Sequence, residues 1–467
     1  MAKLKLRGKD LKKIGYTESE VVGLAMQIMH QYYKHSTKDE ALSVLKDILE
    51  NPDKFENDEI LGPIANEFIE VPEVIREEKE LRTVPASYKT YGSQYISAKA
   101  KLQMDVAMKL PITRAGALMP DAHAGYGLPI GGVLATENAV IPYGVGMDIG
   151  CRMCMTVYDV PPNMLVQHTK KLQHILKENT RFGLNSMFED PNDHEVFERK
   201  EFKEIPLLRK LKNKAYNQLG TSGGGNHFVE FGVVDLLEVN EFDMPAGKYL
   251  GILSHSGSRG LGANIARLYT KIAVEKCLLP KGSQHLAWLD LNTEDGMEYW
   301  MAMNLAGDYA SACHHDIHRR LGKALGHRPQ LMVENHHNFA WKEKLADGTE
   351  VIVHRKGATP AGKGVLGIIP GSMTAPGFLV RGKGQDLSLN SAAHGAGRLM
   401  SRTRAKESIT HSFMKKYLKE HGVTLIGGGL DEAPQAYKDI TKVMDHQKEL
   451  VEVLGTFTPK IVRMAND

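Results

Sequence analysis

The chain has little of what several protein classes require. Its 467 residues include 4 cysteines and 3 tryptophans, too few cysteines for a small domain held together by disulfides. No run of about 18 apolar residues occurs, which predicts that no helix spans a membrane. The basic first residues lack the apolar core of a signal peptide. Together these absences predict a cytoplasmic protein with reduced thiols and no membrane partner.

An excess of charge of one sign is also missing. The 59 basic and 56 acidic residues give a net charge of +3, so the net charge of the molecule does not indicate a nucleic-acid partner. An anionic partner would have to be bound by a local group of basic residues. The 42% hydrophobic and 25% charged residues exclude a wholly disordered, collagen-like or coiled-coil chain. Glycine is abundant at 45 residues, which indicates many tight turns or close approaches of backbone to a ligand.

The first part of the chain is predicted to be helical. Thr17 with Glu20, and Thr37 with Glu40, form capping-box patterns ahead of apolar residues at helical spacing, and Asn51-Pro52 ends the second pattern. The charged segment 70–91 is the best linker. We therefore predict a helical extension over residues 1–85 and a larger domain over residues 86–467.

The second part changes to short apolar or alternating runs between glycine clusters. Strands are predicted at 131–136, 153–158, 249–253 and 365–369, and helices at 292–321 and 398–420. Strands and helices do not alternate regularly, so a doubly wound parallel sheet is not favoured. The prediction is an α+β fold, with β-sheets flanked by helices.

Five segments, most of them glycine-rich, each carry residues able to bind a metal. Glycine beside a ligand residue lets the backbone turn tightly and approach a phosphate. The segments are 145–151, 223–230, 254–260, 336–338 and 394–398.

The donors in these segments are dispersed along the chain. They are Asp148, Cys151, His227, His255 and His337. Ligands so far apart in sequence can meet only in a folded pocket, which is typical of an open catalytic centre rather than a zinc finger. A mixture of oxygen, nitrogen and sulfur donors allows manganese, iron or zinc.

Other interpretations compete for some of these residues. Cys151 and Cys154 have the spacing of half a zinc site or a redox pair, but Cys154 lies in an apolar run that predicts a core position. The cluster of His314, His315 and His318 is predicted to lie on a helix surface. Adjacent strand residues face opposite sides, so only one of His336 and His337 can face a site.

Eight motifs follow one another along the second part of the chain, at 119–132, 144–151, 225–228, 255–262, 354–359, 370–373, 394–397 and 431–434. These motifs and their order resemble the RtcB family of RNA-splicing ligases. The resemblance runs from about residue 111 to the end and selects His337, because Asn338 follows it in the family pattern. It implies an RtcB-like catalytic domain with a metal centre in glycine-rich loops.

The resemblance also implies a reaction. Enzymes of this family use GTP and Mn²⁺ to join RNA ending in a 2′,3′-cyclic phosphate or 3′-phosphate to RNA with a 5′-hydroxyl. By this resemblance His394 is the nucleophile that forms a histidine-GMP intermediate, from which GMP passes to the RNA 3′-phosphate. The five donors would bind two Mn²⁺ ions, with Cys151 shared between them.

Guanylate contacts carry over from the family motifs. Glu230 is suited to accept hydrogen bonds from guanine. Arg259, His354, Arg355 and Lys356 are further candidates for phosphate contacts, and Asp121 and His123 either touch RNA or support the first glycine loop. The nucleotide set is Asn226, His227, Phe228, Val229, Glu230, His337, Asn338, Pro370, Gly371, Ser372, Met373, His394, Gly395, Ala396, Gly397 and Arg463.

Departures from the family pattern indicate a divergent branch. Arg463 or Lys460 replaces the family's terminal lysine, Pro376-Gly377 replaces a serine, and Ala393 replaces a cysteine. Two alternatives therefore stay open, a metal-dependent cyclic phosphodiesterase without ligation and an inactive module that binds RNA ends. The RNA target, splicing versus repair, and a need for an archease-like activator are also open.

Overall fold

The computed structural model describes residues 4–69, 78–238 and 240–466. Contacts divide the chain into two compact units, Met1–Arg76 and Glu77–Asp467. The predicted linker at 70–91 begins in residues 70–77, which lie outside the described part. No helix in the described ranges is both long enough and apolar enough to cross a bilayer.

The first unit is a small helical bundle with its own apolar core. The capping box of Thr37 and Glu40 is confirmed, since each side chain bonds the other residue's backbone N–H. The pattern at Thr17 is one residue early, because Glu18 is the N-cap and its side chain makes no capping bond. The helices are α1 Gly8–Lys13, α2 Ser19–Tyr32, α3 Lys38–Glu50 and α4 Gly62–Ala65.

Helices of the second unit surround its sheets. The predicted helix at 398–420 is in fact two helices, because Thr410 accepts a bond from the N–H of Phe413 and starts a second one. The helices are α5 Ala98–Met108, α6 Pro142–Val145, α7 Met164–Gln167, α8 Thr169–Asn179, α9 Glu201–Glu204, α10 Pro206–Gln218, α11 Arg259–Lys276, α12 Glu294–Leu325, α13 Arg402–Ser408, α14 His411–Glu420 and α15 Ile440–Asp445.

The strands of the second unit include all four that the sequence predicts, with bounds shifted by a few residues. They are β1 Lys89–Thr90, β2 Thr113–His123, β3 Ile130–Thr136, β4 Ala139–Val140, β5 Arg152–Tyr158, β6 Phe228–Leu236, β7 Gly247–Ser256, β8 Leu289–Asp290, β9 Leu331–His336, β10 Asn338–Lys344, β11 Glu350–Lys356, β12 Ala358–Pro360, β13 Leu366–Ile369, β14 Gly377–Gly382, β15 Ser391–Ala393, β16 Thr424–Ile426 and β17 Val451–Met464.

The sheets are largely antiparallel. Among the described residues the largest sheet has eight strands, in the order β13-β14-β17-β6-β7-β5-β9 with β16 beside β17. A five-stranded sheet runs β1-β2-β3-β11-β10. Only the pairs β1–β2 and β16–β17 are parallel within this part of the chain. The α+β prediction is confirmed.

Helix α12 packs against the large sheet and corrects one prediction. His314 and His318 are buried, at 0% and 2% exposure, whereas the sequence predicted a surface position. The side of the helix that faces the sheet carries polar residues, and polar residues of the strands form hydrogen bonds with them. Cys154 is buried at 0% exposure, as predicted.

Candidate active site and metal centre

The predicted metal donors lie at neighbouring strand ends of the large sheet. Cys151 precedes β5 and His227 precedes β6, whereas His255 lies near the end of β7 and His337 follows β9. The pairs β5–β7, β5–β9 and β6–β7 are antiparallel, so the start of one strand lies beside the end of the next. The topology therefore brings donors from four segments to one edge.

Three of these donors form a compact group. The Nε2 atoms of His255 and His337 are 3.2 Å apart, and Cys151 Sγ lies 3.1 Å from His255 Nε2. Cys151, His255 and His337 are all buried, and their ligand atoms lie within 4.8 Å of one another. Imidazole and thiolate around one point suit a transition metal.

A second group shares the same cysteine. Asp148 Oδ2 lies 2.8 Å from His227 Nε2, and Cys151 Sγ lies 3.5 Å from that nitrogen. Asp148, Cys151 and His227 again keep their ligand atoms within 4.8 Å. Two triads with Cys151 in common give two adjacent places for a cation.

Protonation of the site matches metal binding. Burial, and next the charge of His227, lower the pKa of His255 to about 3. Burial and then His394 hold the pKa of His337 well below its usual value, so both imidazoles are neutral ligands at pH 7. Burial and Asp148 raise the pKa of the Cys151 thiol, so a thiolate here needs a cation beside it.

A hydrogen bond also leaves the metal-facing nitrogen of His255 free. His255 Nδ1 lies 2.9 Å from the carbonyl oxygen of Asn226, to which it donates, and this fixes the tautomer with Nε2 unprotonated. Asn338 ties the loops around the site together, because its side chain bonds the Asp148 carbonyl and the N–H of Gly357. These residues fit a metal ion.

His394 stands beside the metal donors. Its ring centroid is 5.0 Å from that of His337, and its Nδ1 lies 2.6 Å from Oδ2 of the fully buried Asp121. The N–H of His394 also donates to that oxygen at 3.2 Å. Gly397 has φ 72°, and a Cβ there would lie 2.1 Å from the Asp121 carbonyl oxygen, so only glycine lets the His394 loop approach this closely.

The sequence left the role of Asp121 open between an RNA contact and support of a glycine loop. The structure instead places its carboxylate on the imidazole of His394. The signal was the motif 119–132, but motif spacing does not show which loop an acid faces. His123 lies nearby and lines a cavity that His394 also lines.

A cavity of about 350 Å³ opens in front of this group. Glu230 faces it from β6, is 4% exposed, and has a pKa raised by burial. Burial lowers the pKa of Lys356, which also lines the cavity, to about 7, so a phosphate beside it would favour its charged form. The predicted nucleotide residues that line the cavity are Asn226, Phe228, Glu230, His337, Asn338, Pro370, Gly371, Ser372, Met373, His394, Gly395, Ala396 and Gly397.

The cavity also has features that sequence reasoning missed. Arg402 lines it and is held by ion pairs to Asp431 and Glu432. The 431–434 motif therefore positions an arginine at the cavity. The sequence analysis named this motif, but motif spacing does not show that its acids face Arg402.

Some predicted residues are not brought to the cavity. Val229 alternates away from it and packs in another core. Arg463 donates to the Leu176 carbonyl and lies over the Phe182 ring, on the opposite side of β17 from Val462 and Met464, which line the cavity.

The four candidate phosphate contacts also differ in whether they line the cavity. His354 bonds the backbone of Leu134 and of Ile141, and Arg355 is buried in a bidentate pair with Glu343. Arg259 donates to the Gly183 carbonyl. Of these four candidates only Lys356 lines the cavity.

A further cluster of donors lies beneath α12. Cys154, His314 and His318 keep their ligand atoms within 4.8 Å. The Oγ of Ser254 lies 2.6 Å from His314 Nδ1 and 2.8 Å from His318 Nε2. The remaining ring nitrogens meet the Ser256 carbonyl and Thr156 Oγ1. A closed hydrogen-bond chain therefore accounts for both imidazoles.

Comparison with known proteins agrees with this geometry. The family model described as tRNA-splicing ligase RtcB matches residues 103–206 and 162–465. The chain belongs to the RtcB family. The RNA-splicing ligase RtcB1 of Escherichia coli strain ATCC 25922 is 34% identical over 390 residues, covering 77% of this chain and 93% of that protein.

An archaeal relative of the RtcB family shows the same extent of similarity. The tRNA-splicing ligase RtcB of Nanoarchaeum equitans is 31% identical over 429 residues, covering 77% of this chain and 90% of its own. The predicted RtcB resemblance and the prediction of an enzyme of the RNA-ligase class are confirmed by these matches.

Proposed function

We propose that this RtcB-family chain joins RNA ending in a 3′-phosphate or 2′,3′-cyclic phosphate to RNA with a 5′-hydroxyl, using GTP and two Mn²⁺ ions. His394 attacks the α-phosphorus of GTP, so an N–P bond forms and pyrophosphate leaves. An oxygen of the RNA 3′-phosphate then displaces His394, and the 5′-hydroxyl finally displaces GMP. A cyclic end is first opened by water.

The observation that carries this proposal is the placement of His394. Its Nδ1 donates to Asp121 at 2.6 Å, so the unprotonated Nε2 is the nucleophilic atom. The ring lies next to His337 and lines the cavity that Glu230 closes. The proposed nucleophile, the candidate metal donors and the cavity proposed for the nucleotide are therefore close together, which supports the proposal.

The metal donors support two ions. Asp148, Cys151 and His227 would hold one, and Cys151, His255 and His337 the other. Two bound cations would neutralise charge that develops on the phosphates and orient an in-line attack. Manganese follows from the family, because the mixed donor set alone also accepts iron or zinc.

Nucleotide choice is assigned to Glu230. Its carboxylate can accept from the ring N–H and amino group of guanine, whereas adenine presents no such pair of donors. Lys356 and Arg402 supply positive charge at the cavity for phosphate groups. The 370–373 and 394–397 loops provide backbone around the nucleotide.

The decisive experiment is covalent labelling. Purified protein incubated with Mn²⁺ and α-labelled GTP should give a labelled protein band that is stable to base and labile to acid. His394→Ala should lose the band and keep the wild-type manganese content. A band that persists in His394→Ala would refute the assigned nucleophile.

A second assay tests joining itself. RNA pairs with 3′-phosphate, cyclic phosphate and 5′-hydroxyl ends are incubated with and without an archease-like activator, and the product is resolved on a gel. Opened cyclic ends without a joined product or a labelled band would instead support a phosphodiesterase. The proposal includes a cytoplasmic site of action, which agrees with the four free, buried cysteines.

A further inference from the structure

We propose that a surface beside the reaction cavity binds single-stranded RNA by stacking its bases. We call it the aromatic shelf and define it by Tyr126, Tyr143 and His285. The inference rests on the proposed function, because it assigns the RNA end to a place next to the nucleophile.

The three rings of the shelf contact one another. Tyr143 and His285 stack with centroids 4.6 Å apart and planes 29° apart. Tyr126 meets His285 edge-on at 5.8 Å. Tyr126 is 67% exposed and His285 is exposed as well, so these two rings offer free surface while Tyr143 supports them from below.

The backbone holds the shelf in place. Gly127 has φ 64°, and a Cβ there would lie 2.9 Å from the carbonyl oxygen of His285. Glycine is therefore required for the Tyr126 loop to pack against the His285 turn. Rings fixed in advance lose little entropy when a base stacks on them.

The shelf is continuous with the reaction cavity. Lys356 donates to the Tyr126 carbonyl at 2.6 Å, and its ammonium lies 4.8 Å from the Tyr143 ring centroid. Lys356 lines the reaction cavity. Met147 lines both that cavity and a second one of about 510 Å³, which Tyr143 and His285 also line. A strand whose end reaches His394 thus passes the shelf.

Charges around the second cavity suit a phosphate backbone. Arg267 and Lys271 line it from one face of α11 and are exposed. Arg267 makes no ion pair within the described part of the chain, whereas Lys271 lies 3.7 Å from Glu275. Free cation and aromatic rings together are the combination that binds single strands.

Single-stranded RNA is favoured over a duplex or a protein partner. Burial and the charge of Lys356 lower the pKa of His285, so its ring is neutral at pH 7 and presents a stacking face. Bases are free to stack on such rings only when they are unpaired. A protein partner would instead need a broad apolar patch, and Arg267 and Lys271 interrupt one here.

The test measures RNA affinity and protein labelling on the same variants. The probe is a fluorescent single-stranded RNA with a 3′-phosphate, on the order of 10 nucleotides long. Tyr126→Ala and His285→Ala should each weaken its binding about 5- to 150-fold, the loss expected for one stacked base. Tyr126→Phe keeps the ring and should bind within about 3-fold of wild type, well below one stacking contribution.

Covalent labelling by GTP should be unchanged in these variants, because the shelf lies outside the nucleotide loops. Arg267→Ala should lower the slope of log affinity against log salt by about 0.7, the value for one phosphate contact on a single strand. Phe413→Ala removes another exposed aromatic ring and should leave RNA binding unchanged.

The outcomes separate this inference from the proposed function. Unchanged affinity in Tyr126→Ala and His285→Ala overturns the shelf, as does an equal loss of affinity for a blunt duplex, or a parallel loss of labelling. Absence of a labelled band in wild-type protein overturns the proposed function. If RNA binding still depends on the rings in that case, the shelf stands as an RNA site.

Discussion

Replacement of Asp121 by asparagine tests the assignment of the nucleophile most directly. The two side chains have nearly the same shape, so the fully buried position should accept the change without a cavity. The charge that faces His394 Nδ1 at 2.6 Å is lost. An amide that turns its NH₂ toward Nδ1 would also favour the tautomer protonated at Nε2, and that nitrogen then has no lone pair for attack.

The size of the effect follows from these two losses. A hydrogen bond to a charged group contributes about 1.5–3 kcal/mol, which corresponds to a roughly 10- to 150-fold slower formation of the adduct. A complete change of tautomer would increase the loss toward about 10⁴-fold, the value for a catalytic histidine deprived of its aspartate. We therefore expect labelling to slow by at least about 10-fold.

The assay is the rate of labelling by α-labelled GTP at saturating Mn²⁺, with manganese content measured in parallel. Metal content should stay at the wild-type value, because Asp121 is outside both donor triads. Asp105→Asn is the matched control, since that carboxylate bonds the Tyr88 hydroxyl and does not line the cavity. A slowing of less than about 3-fold, below the weakest charged hydrogen bond, would refute the positioning of His394 by Asp121.

Three further predictions concern Glu230, the shared cysteine ligand and the buried histidines. Burial raises the pKa of Glu230, but the two N–H donors of a bound guanine would favour its carboxylate form. Glu230→Gln should therefore reduce the preference for GTP over ATP in covalent labelling by about 10- to 150-fold, because it removes a charged acceptor for guanine. An unchanged preference would remove Glu230 from nucleotide selection. Cys151→Ser should lose more manganese than His255→Ala, measured by elemental analysis, because Cys151 belongs to both triads; equal losses would contradict a shared ligand. The free energy of unfolding of the metal-free protein, measured in urea, should fall as pH falls below about 6.5, the usual pKa of a histidine in an unfolded chain. The reason is that the folded-state pKa values of His255 and His354 are lowered to about 3 and about 4. The unfolded chain then binds more protons, so stability falls by at most about 1.4 kcal/mol per pH unit for each group; a free energy of unfolding that is flat from pH 7 to 5 would contradict these buried neutral imidazoles.

Sequence reasoning selected five candidate donors because each lies in a recognisable loop motif. The structure brings Asp148, Cys151, His227, His255 and His337 together. The α+β class could also be predicted from the sequence. Short runs with the alternating pattern of antiparallel strands occur in it without a helix regularly placed between them. Side-chain directions that depend on local irregularities of the backbone were not predicted from the sequence.

Arg463 illustrates that limit. Residue parity on a strand predicts which side chains share a face. The pairing of β17 with β6 shifts register between Pro459 and Ile461, so parity changes at that point. Pro459, Val462 and Met464 line the cavity, and Arg463 points to the other side. A bulge of one residue decides the outcome. Pro459 marks it in the sequence, because a proline cannot donate to the ladder of a central strand.

The same kind of irregularity creates the pair of Asp121 and His394. The pairing of β2 with β3 shifts between Leu118 and His123, so Asp121 is released from the regular ladder and can face a loop 273 residues later in the chain. Bulges re-aim side chains in this way and occur next to active sites. Regular antiparallel pairing gathers the metal donors at one sheet edge, whereas a break in pairing aims the acid at the nucleophile. Between these two pairs β2 advances three residues more than β3, since Leu118 pairs with Gly132 and His123 pairs with Ile130. Deleting one residue of this segment other than Asp121 should therefore move Asp121 off the His394 imidazole and abolish labelling while manganese binding persists. Labelling that survives the deletion would separate the irregular pairing from the alignment of His394.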